Sequence, residues 1–194
     1  MVAGELGSGK TAFSFKLAQE LHRPLTAIGI PADILGRWGR AIKPEEILDV
    51  PDGSTVLIDD AGLMFGSLDY NREASQRLHD LISIRRQRRL VIIANTVNTG
   101  VSDRYLLEAD AVFCKPPSLL FSETERTKVS QLMREVKAAF SGMDEAEVKR
   151  HMYCASDLFS FVGMIEYGLP RGWNENISFN KASGPRAQAP QEEE

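Results

Sequence analysis

The chain has 194 residues, 43% of them hydrophobic, and a formal net charge of -4 at pH 7. That length suits one α/β domain with a substantial core. The negative balance excludes a globally basic surface for nucleic acid, so local patches must provide any such contact. The two cysteines, Cys114 and Cys154, lie outside any CxxC pair, which argues against a metal knuckle or a disulfide framework.

Targeting signals are not visible in the sequence. No apolar run approaches the ~20 residues that a membrane span requires. The first residues run straight into glycines rather than into a signal peptide. We therefore expect a cytoplasmic protein that does not contact a membrane and keeps its thiols reduced.

Strand and helix patterns alternate along the chain. Helices are predicted at 10–22, at one or two places within 31–50, at 68–87, near 102–109, at 123–141 and at 144–151. Strands are predicted at 25–30, 56–58, 89–96 and 110–115, followed by two runs within 152–167 that can pair as a hairpin. The alternation predicts an α/β fold with a parallel sheet.

Two segments stand out within this pattern. The apolar run Val56–Ile58 is continuous rather than alternating, which indicates a strand buried on both faces of a parallel sheet. Residues 184–194 are too rich in Pro, Gln and Glu to build a core, so a disordered tail is expected there.

The segment GELGSGKT matches the phosphate-loop pattern GxxxxGK(S/T) in full. Its glycines let backbone N–H groups point at phosphate oxygens, and the following helix directs its positive end at the same anion. In such a loop Lys10 reaches the β- and γ-phosphates and the Thr11 hydroxyl binds Mg²⁺. A chance glycine-rich turn is the alternative. The expected nucleotide-binding residues are Gly4, Glu5, Leu6, Gly7, Ser8, Gly9, Lys10, Thr11 and Ala12.

The chain before this loop is short. Only Met1, Val2 and Ala3 precede it, whereas a phosphate loop normally follows a buried strand of about five residues. We expect either a very short first strand or a chain that begins after the natural start.

An apolar strand that ends in acidic residues is the partner that a phosphate loop requires. Asp59 ends the run VLI, and Asp60 follows it. At the carboxyl edge of the sheet, Asp59 is placed to contact Mg²⁺ through water, and Asp60 to polarise the attacking water. A solvated corner between strand and loop is the alternative for both carboxylates.

Several classes of nucleotide protein fit less well. Asp59-x-x-Gly62 matches the GTPase pattern DxxG, but the segment NTVN at 95–98 lacks the Lys and Asp of a guanine-specific NKxD. The arginines that a kinase would carry in a lid lie between two strands instead, and the ABC-type signature LSGGQ is absent from the sequence. An oligomeric motor ATPase is the remaining class.

Motor ATPases need a polar residue at the end of the strand beside the acidic strand. They also need an arginine that reaches the nucleotide of a neighbouring subunit. Asn95 and Thr96 are the candidates for the polar tip, with simple turn chemistry as the alternative. The preceding arginines suit an arginine finger or a phosphate-backbone contact, with a solvated helix end as the alternative. They are Arg85, Arg86, Arg88 and Arg89.

The chain resembles the HerA/FtsK superfamily of P-loop ATPases in the order of its segments. These are GELGSGKT, VLIDDAG, RRQRR, LVIIANT and LLEADAVF, followed by YGLPRGWNENIS at 167–178. The resemblance covers about residues 1–180. This group contains DNA-pumping motors, among them small DNA-packaging ATPases of archaeal and bacterial viruses. It implies a RecA-like P-loop NTPase fold, with a mostly parallel sheet, helices on both faces and a small C-terminal β-hairpin, in one domain at 1–183.

The resemblance also implies roles for single residues. Lys10 matches the phosphate lysine, Thr11 the Mg²⁺ hydroxyl and Asp59 the metal carboxylate. Asp60 stands where the family usually has Glu, which shortens the reach by one methylene and predicts a cost in rate. Thr96 stands where the family usually has Gln, and Arg85 where it often has an arginine. The predicted catalytic residues are Lys10, Asp60, Thr96, Asn95 and Arg85, and the predicted metal ligands are Thr11 and Asp59.

The resemblance thus predicts an Mg²⁺-dependent ATPase that binds ATP, forms rings such as hexamers, and translocates or packages double-stranded DNA. A virus or plasmid in the host cytoplasm is the expected setting. Arg37, Arg40 and Lys43 are candidate DNA contacts, although an ordinary polar helix face explains them as well.

Two rivals stay open. One is an ATP-binding switch or assembly protein with slow hydrolysis and no motor action. The other is a toxin-export or filamentous-phage assembly ATPase, which would be expected to carry a membrane segment.

Overall fold

The structure is a computed structural model that describes residues 1–5, 7–65, 72–97, 109–117 and 127–173. Within these ranges one sheet is built from eight strands. They are β1 (Val2–Ala3), β2 (Leu25–Ile28), β3 (Arg40–Ala41), β4 (Thr55–Ile58), β5 (Val91–Thr96), β6 (Val112–Cys114), β7 (His151–Ser156) and β8 (Phe161–Glu166).

Helices connect and cover these strands. Those within the described ranges are α1 (Lys10–Glu20), α2 (Ala32–Leu35), α3 (Ala61–Met64), α4 (Arg72–Ile84), α5 (Thr127–Ala139) and α6 (Glu145–Arg150). Two 3₁₀ segments, Gly36–Trp38 and Pro44–Asp49, flank β3. No helix in the part of the chain that the structure describes is long and apolar enough to cross a membrane.

The strand order is β3-β2-β4-β5-β1-β6-β7-β8. The first six strands in this order run parallel to one another, and β7 is antiparallel to both β6 and β8. Since β5 lies between β1 and β4, the carboxyl ends of these three strands meet at one edge of the sheet. The loop after β1 and the acidic residues after β4 leave the sheet at that edge.

Both faces of the sheet are covered, as the continuous apolarity of β4 predicts. Every residue of Thr55–Ile58 is fully buried. Leu57 belongs to the same cluster as Phe15 of α1, whereas Val56 and Ile58 belong to a cluster with the apolar side of α4. A third cluster packs α5 against the other end of the sheet.

The predicted fold class is confirmed: a mostly parallel α/β sheet with helices on both faces and the architecture of a P-loop NTPase. The predicted hairpin at 152–167 forms, but it extends the central sheet through β6 instead of standing apart as a small unit. The helical interpretation of 31–50 is incomplete, because β3 pairs with β2 inside that segment. β3 has only two residues, too few to show an alternating pattern.

Several predictions lie wholly or largely outside the described residues. They are the helix near 102–109, the start of the helix at 123–141, Leu6 of the phosphate loop, and the tail at 184–194. The domain boundary at residue 183 also stays a prediction.

Candidate nucleotide-binding site

The glycine-rich segment forms a closed loop between β1 and α1. Gly4 N–H donates to the Thr96 carbonyl oxygen at 3.3 Å, which ties the start of the loop to the end of β5. Gly7 and Gly9 adopt positive φ angles of 75° and 90°, a left-handed region that favours glycine. Phe13 N–H then donates to the Gly9 carbonyl at 3.0 Å and opens α1. The first turn of α1 holds no acidic residue, so its positive end is available to an anion.

The polar groups of this loop fit a phosphate ligand. Lys10 is buried, and its Nζ donates to the Glu5 carbonyl oxygen at 2.5 Å across the loop. The Ser8 hydroxyl is buried and has no hydrogen-bond partner among the described residues. A buried hydroxyl without a partner costs free energy, and a phosphate oxygen would accept a hydrogen bond from it.

A hydrogen-bonded chain joins the loop helix to the two neighbouring strands. Asp59 at the end of β4 is 1% exposed, and its Oδ1 accepts from Asn95 Nδ2 at 2.9 Å. The Ser14 hydroxyl of α1 donates in turn to Asn95 Oδ1 at 2.5 Å. Asn95 is therefore held from both sides, and it points its amide N–H at the carboxylate.

Thr11 and Asp59 form a pair that fits Mg²⁺. The Thr11 Oγ1 lies 3.3 Å and 3.4 Å from the two carboxylate oxygens of Asp59. Mg²⁺ prefers hard oxygen ligands and usually takes only one or two carboxylates besides phosphates and water. A hydroxyl and a carboxylate facing each other beside a phosphate loop meet that preference.

Asp60 and Thr96, the other predicted catalytic residues at this edge of the sheet, differ in their burial and in their backbone roles. Asp60 starts α3 in a left-handed conformation, with φ 55° and ψ 51°, and is half-buried. Such a backbone is uncommon for residues other than glycine and tends to occur at functional sites. Thr96 is buried, and its carbonyl oxygen accepts the hydrogen bond from Gly4 N–H of the phosphate loop. Asn95, the other strand-end candidate, donates a hydrogen bond to Asp59 from its side-chain amide.

The clustered arginines lie at the other end of β5. The strand runs from Val91 to Thr96, about 17 Å at the usual rise, so residues 85–89 are far from Asn95. Arg85 pairs with Asp110 at 3.4 Å and donates to the Ile82 carbonyl at 2.9 Å. Arg85 therefore lies far from the phosphate-loop end of the sheet in its own chain, and its role as a finger stays a prediction about a neighbouring subunit.

Arg86 forms one long ion pair, with Asp110 at 3.5 Å, whereas Arg88 makes three contacts with the fold. Its Nε lies 2.6 Å from Asp52 Oδ1, its Nη1 donates to the Leu48 carbonyl at 2.9 Å, and its Nη2 donates to the Val50 carbonyl. The Arg86 side chain is 81% exposed.

We expect Arg88→Ala to lower the free energy of unfolding by about 1–3 kcal/mol, because it leaves carbonyl groups without their donor. Arg86→Ala, the matched control, should change it by less than about 0.5 kcal/mol. Urea unfolding measures both, and an equal decrease in the two variants would contradict this assignment.

Lys115 was not predicted from the sequence, although its side chain packs directly against Gly4 of the phosphate loop. Its side chain is fully buried after β6, and a Cβ at Gly4 would lie only 2.6 Å from its Cβ. Its Nζ donates to the carbonyl oxygens of Val148 at 2.5 Å, Lys149 at 3.1 Å and His151 at 2.6 Å. These carbonyls end α6, where a cation suits the helix dipole. A lysine after a strand is usually solvated, so the sequence carried no signal.

Lys115 also predicts a pH dependence of stability. Burial lowers the pKa of Lys115 from 10.5 to about 8. Between these values the folded chain has released a proton that the unfolded chain still holds, so the contribution of this group to stability rises with pH. We expect the difference in unfolding free energy between wild type and Lys115→Met to rise from pH 8 to pH 10. Denaturant titrations at each pH measure it, and a difference independent of pH would contradict the prediction.

Known proteins resemble this chain in fold rather than in sequence. No protein family matches the chain, and no curated protein does. Among solved structures, the DNA-packaging ATPase B204 from Sulfolobus Turreted Icosahedral Virus matches with a TM-score of 0.59 and 10% identity, over 87% of this chain and 96% of that chain. The genome packaging NTPase B204 from Sulfolobus turreted icosahedral virus 2, in complex with AMPPCP, matches with a TM-score of 0.59 and 11% identity over the same shares.

A further structure of that second NTPase, in complex with ATP-gammaS, matches with a TM-score of 0.57, 11% identity and the same coverage. At these identities the likeness concerns the fold. The chain shares the P-loop NTPase fold of these viral packaging proteins, as the resemblance in sequence predicts.

Proposed function

We propose that this chain is an Mg²⁺-dependent ATPase that works as a ring-shaped oligomer and translocates or packages double-stranded DNA. The observation that carries the proposal is the hydrogen-bonded chain from Ser14 through Asn95 to Asp59, with Thr11 facing the same carboxylate. It brings α1, β4 and β5 together beside the phosphate loop. The shared fold with viral proteins named as DNA-packaging and genome packaging enzymes supports the choice of cargo.

Each side chain has a distinct part in this proposal. Lys10 binds the phosphate oxygens, and Asn95 fixes the orientation of the Asp59 carboxylate through its amide N–H. Thr11 and Asp59 hold Mg²⁺, which neutralises phosphate charge when bound. Asp60 polarises the attacking water from the start of α3.

The alternative is an ATP-binding switch or assembly protein that hydrolyses slowly and does not act as a motor. Asp60 favours it, because an aspartate carries its carboxylate one methylene closer to the backbone than a glutamate does. A small displacement of a catalytic group can cost about a hundredfold in rate.

The proposal predicts how ATP turnover responds to substitution. Lys10→Ala and Asp59→Asn should each lower turnover by roughly a hundredfold or more, because the first removes a cation at the phosphates and the second weakens the binding of Mg²⁺ there. Lys16→Ala is the matched control. Lys16 lies on the same helix, pairs with Glu20 at 2.5 Å and stands outside the proposed site, so turnover should stay unchanged.

Turnover measured at several protein concentrations, with and without linear duplex DNA, separates the two functions. A motor that shares its sites between subunits should show turnover that rises more than linearly with protein and rises again with DNA. ATP binding with turnover that is proportional to protein and indifferent to DNA would contradict the motor and favour the switch.

A cationic cavity supports the DNA part of the proposal. Arg37 and Arg171 border a cavity of about 360 Å³ at the amino end of β2, together with His22, Arg23 and Trp38. Neither Arg37 nor Arg171 forms an ion pair with a carboxylate within the ranges that the structure describes. In a chain of net charge -4, this is a concentration of positive charge available to phosphates.

The predicted DNA contacts Arg37, Arg40 and Lys43 do not share a helix face. Arg37 lies in the first 3₁₀ segment, Arg40 in β3, and Lys43 directly before the second 3₁₀ segment. Only Arg37 of the three borders the cavity. The three residues therefore do not form one helix face, and their contact with DNA stays a prediction.

We expect the double variant R37Q/R171Q to bind duplex DNA more weakly and to show a smaller salt dependence. The slope of log Kd against log salt concentration should fall by about two, which is roughly one for each arginine that no longer binds a phosphate. Fluorescence anisotropy with labelled duplex measures it, and ATP turnover without DNA should stay unchanged. The variant R134Q/R150Q removes two exposed arginines elsewhere, and an equal effect from it would contradict a role for the cavity.

A further inference from the structure

Tyr167 lies directly beside the phosphate loop, although it follows β8 at the far end of the chain. Its ring packs edge-on against Phe13 of α1, with ring centroids 4.9 Å apart. Its N–H donates to the Arg150 carbonyl at 2.8 Å. A Cβ on Gly9 would lie 3.3 Å from the Tyr167 hydroxyl oxygen, so this hydroxyl adjoins the turn that leads into Lys10.

The hydroxyl of Tyr167 is buried and has no hydrogen-bond partner among the described residues. Among the described residues, only two other buried side-chain polar atoms lack a hydrogen-bond partner, and they belong to Ser8 and Thr55. Two of the three therefore border the same loop. A buried hydroxyl is normally hydrogen-bonded, so two hydroxyls without a partner beside a phosphate loop point to a ligand that accepts hydrogen bonds at this loop.

The Tyr167 ring is held in place from a second side by Lys115. The ammonium group lies 5.0 Å from the ring centroid, within the range of a cation–π contact. The same ammonium donates to three carbonyls at the end of α6. Burial raises the pKa of Tyr167, so the phenol keeps its proton and remains a donor at neutral pH.

We propose that the Tyr167 hydroxyl donates a hydrogen bond to the phosphate chain of the bound nucleotide. The segment after the hairpin thereby adds a binding residue to the phosphate loop. The contact concerns phosphates because the hydroxyl adjoins Gly9 within the loop itself. The inference rests on the proposed nucleotide binding and goes beyond it, since the sequence motif contains no residue from this segment.

Tyr167→Phe tests the inference, because it removes the hydroxyl and keeps the ring. We expect the Kd for ATP in the presence of Mg²⁺ to rise roughly tenfold, and the Kd for GTP to rise by the same factor. The melting temperature without nucleotide should stay the same or rise, because the hydroxyl that is removed has no partner there. Calorimetric titration and thermal unfolding measure the two quantities.

Tyr153→Phe is the matched control, from β7 of the hairpin that precedes Tyr167. The Tyr153 hydroxyl donates to Glu135 Oε2 at 3.1 Å, so its removal breaks a bond that the free protein already makes. We expect a lower melting temperature and an unchanged Kd for ATP, the opposite pattern to that of Tyr167→Phe.

Three results would overturn the inference. One is an unchanged Kd for ATP in Tyr167→Phe. Another is a weaker Kd for ATP but not for GTP, which would assign the hydroxyl to the base. The third is a lower melting temperature without nucleotide, which would make the hydroxyl a structural group of the free protein. A wild-type chain that binds no ATP is a separate outcome, because it contradicts the proposed function as well.

Discussion

The carboxylate of Asp59 is buried at the point where β4 ends, and a buried charge is tolerated only where hydrogen bonds or a counter-charge satisfy it. Asn95 supplies one N–H from the neighbouring strand, and Ser14 holds Asn95 in that orientation. Thr11 faces the same carboxylate from the first turn of the loop helix. Because β5 lies between β1 and β4 and all three strands are parallel, the loop after β1, Asp59 after β4 and Asn95 near the end of β5 lie at the same edge of the sheet.

Lys115 and Tyr167 pack against the phosphate loop, in addition to the contacts that strands β4 and β5 provide. Lys115 occupies the space that a Cβ at Gly4 would need, and its ammonium joins the loop region to the end of α6. Tyr167 closes the same region against α1. The C-terminal hairpin is therefore more than an extension of the sheet, since its packing determines the surroundings of the phosphate loop. Lys115 and Tyr167 thus connect the loop to α6 and to the end of the hairpin by direct contacts.

The sequence predicts those features that depend on local pattern. The phosphate loop is a contiguous motif, and the continuous apolar run before Asp59 indicates a strand buried on both faces, as β4 is. The sequence also predicts a polar tip, Asn95 or Thr96, on the strand beside the acidic strand, but it does not predict the hydrogen bond from Asn95 to Asp59. The contacts of Lys115 and Tyr167 could not be predicted, because they join segments more than 30 residues apart. Neither residue type indicates such a contact in a sequence. The two residues of β3 are too few to display a period.

The central claim is that residues 4–11 and the Asp59 carboxylate form one nucleotide site. A crystal structure of the chain grown with Mg²⁺ and ATP-gammaS tests it most directly. We expect the phosphates inside the loop of residues 4–11, the ion beside Thr11 and Asp59, and Asn95 still bonded to the carboxylate. A nucleotide bound elsewhere on the chain, with the loop keeping its Lys10–Glu5 contact, would contradict the account.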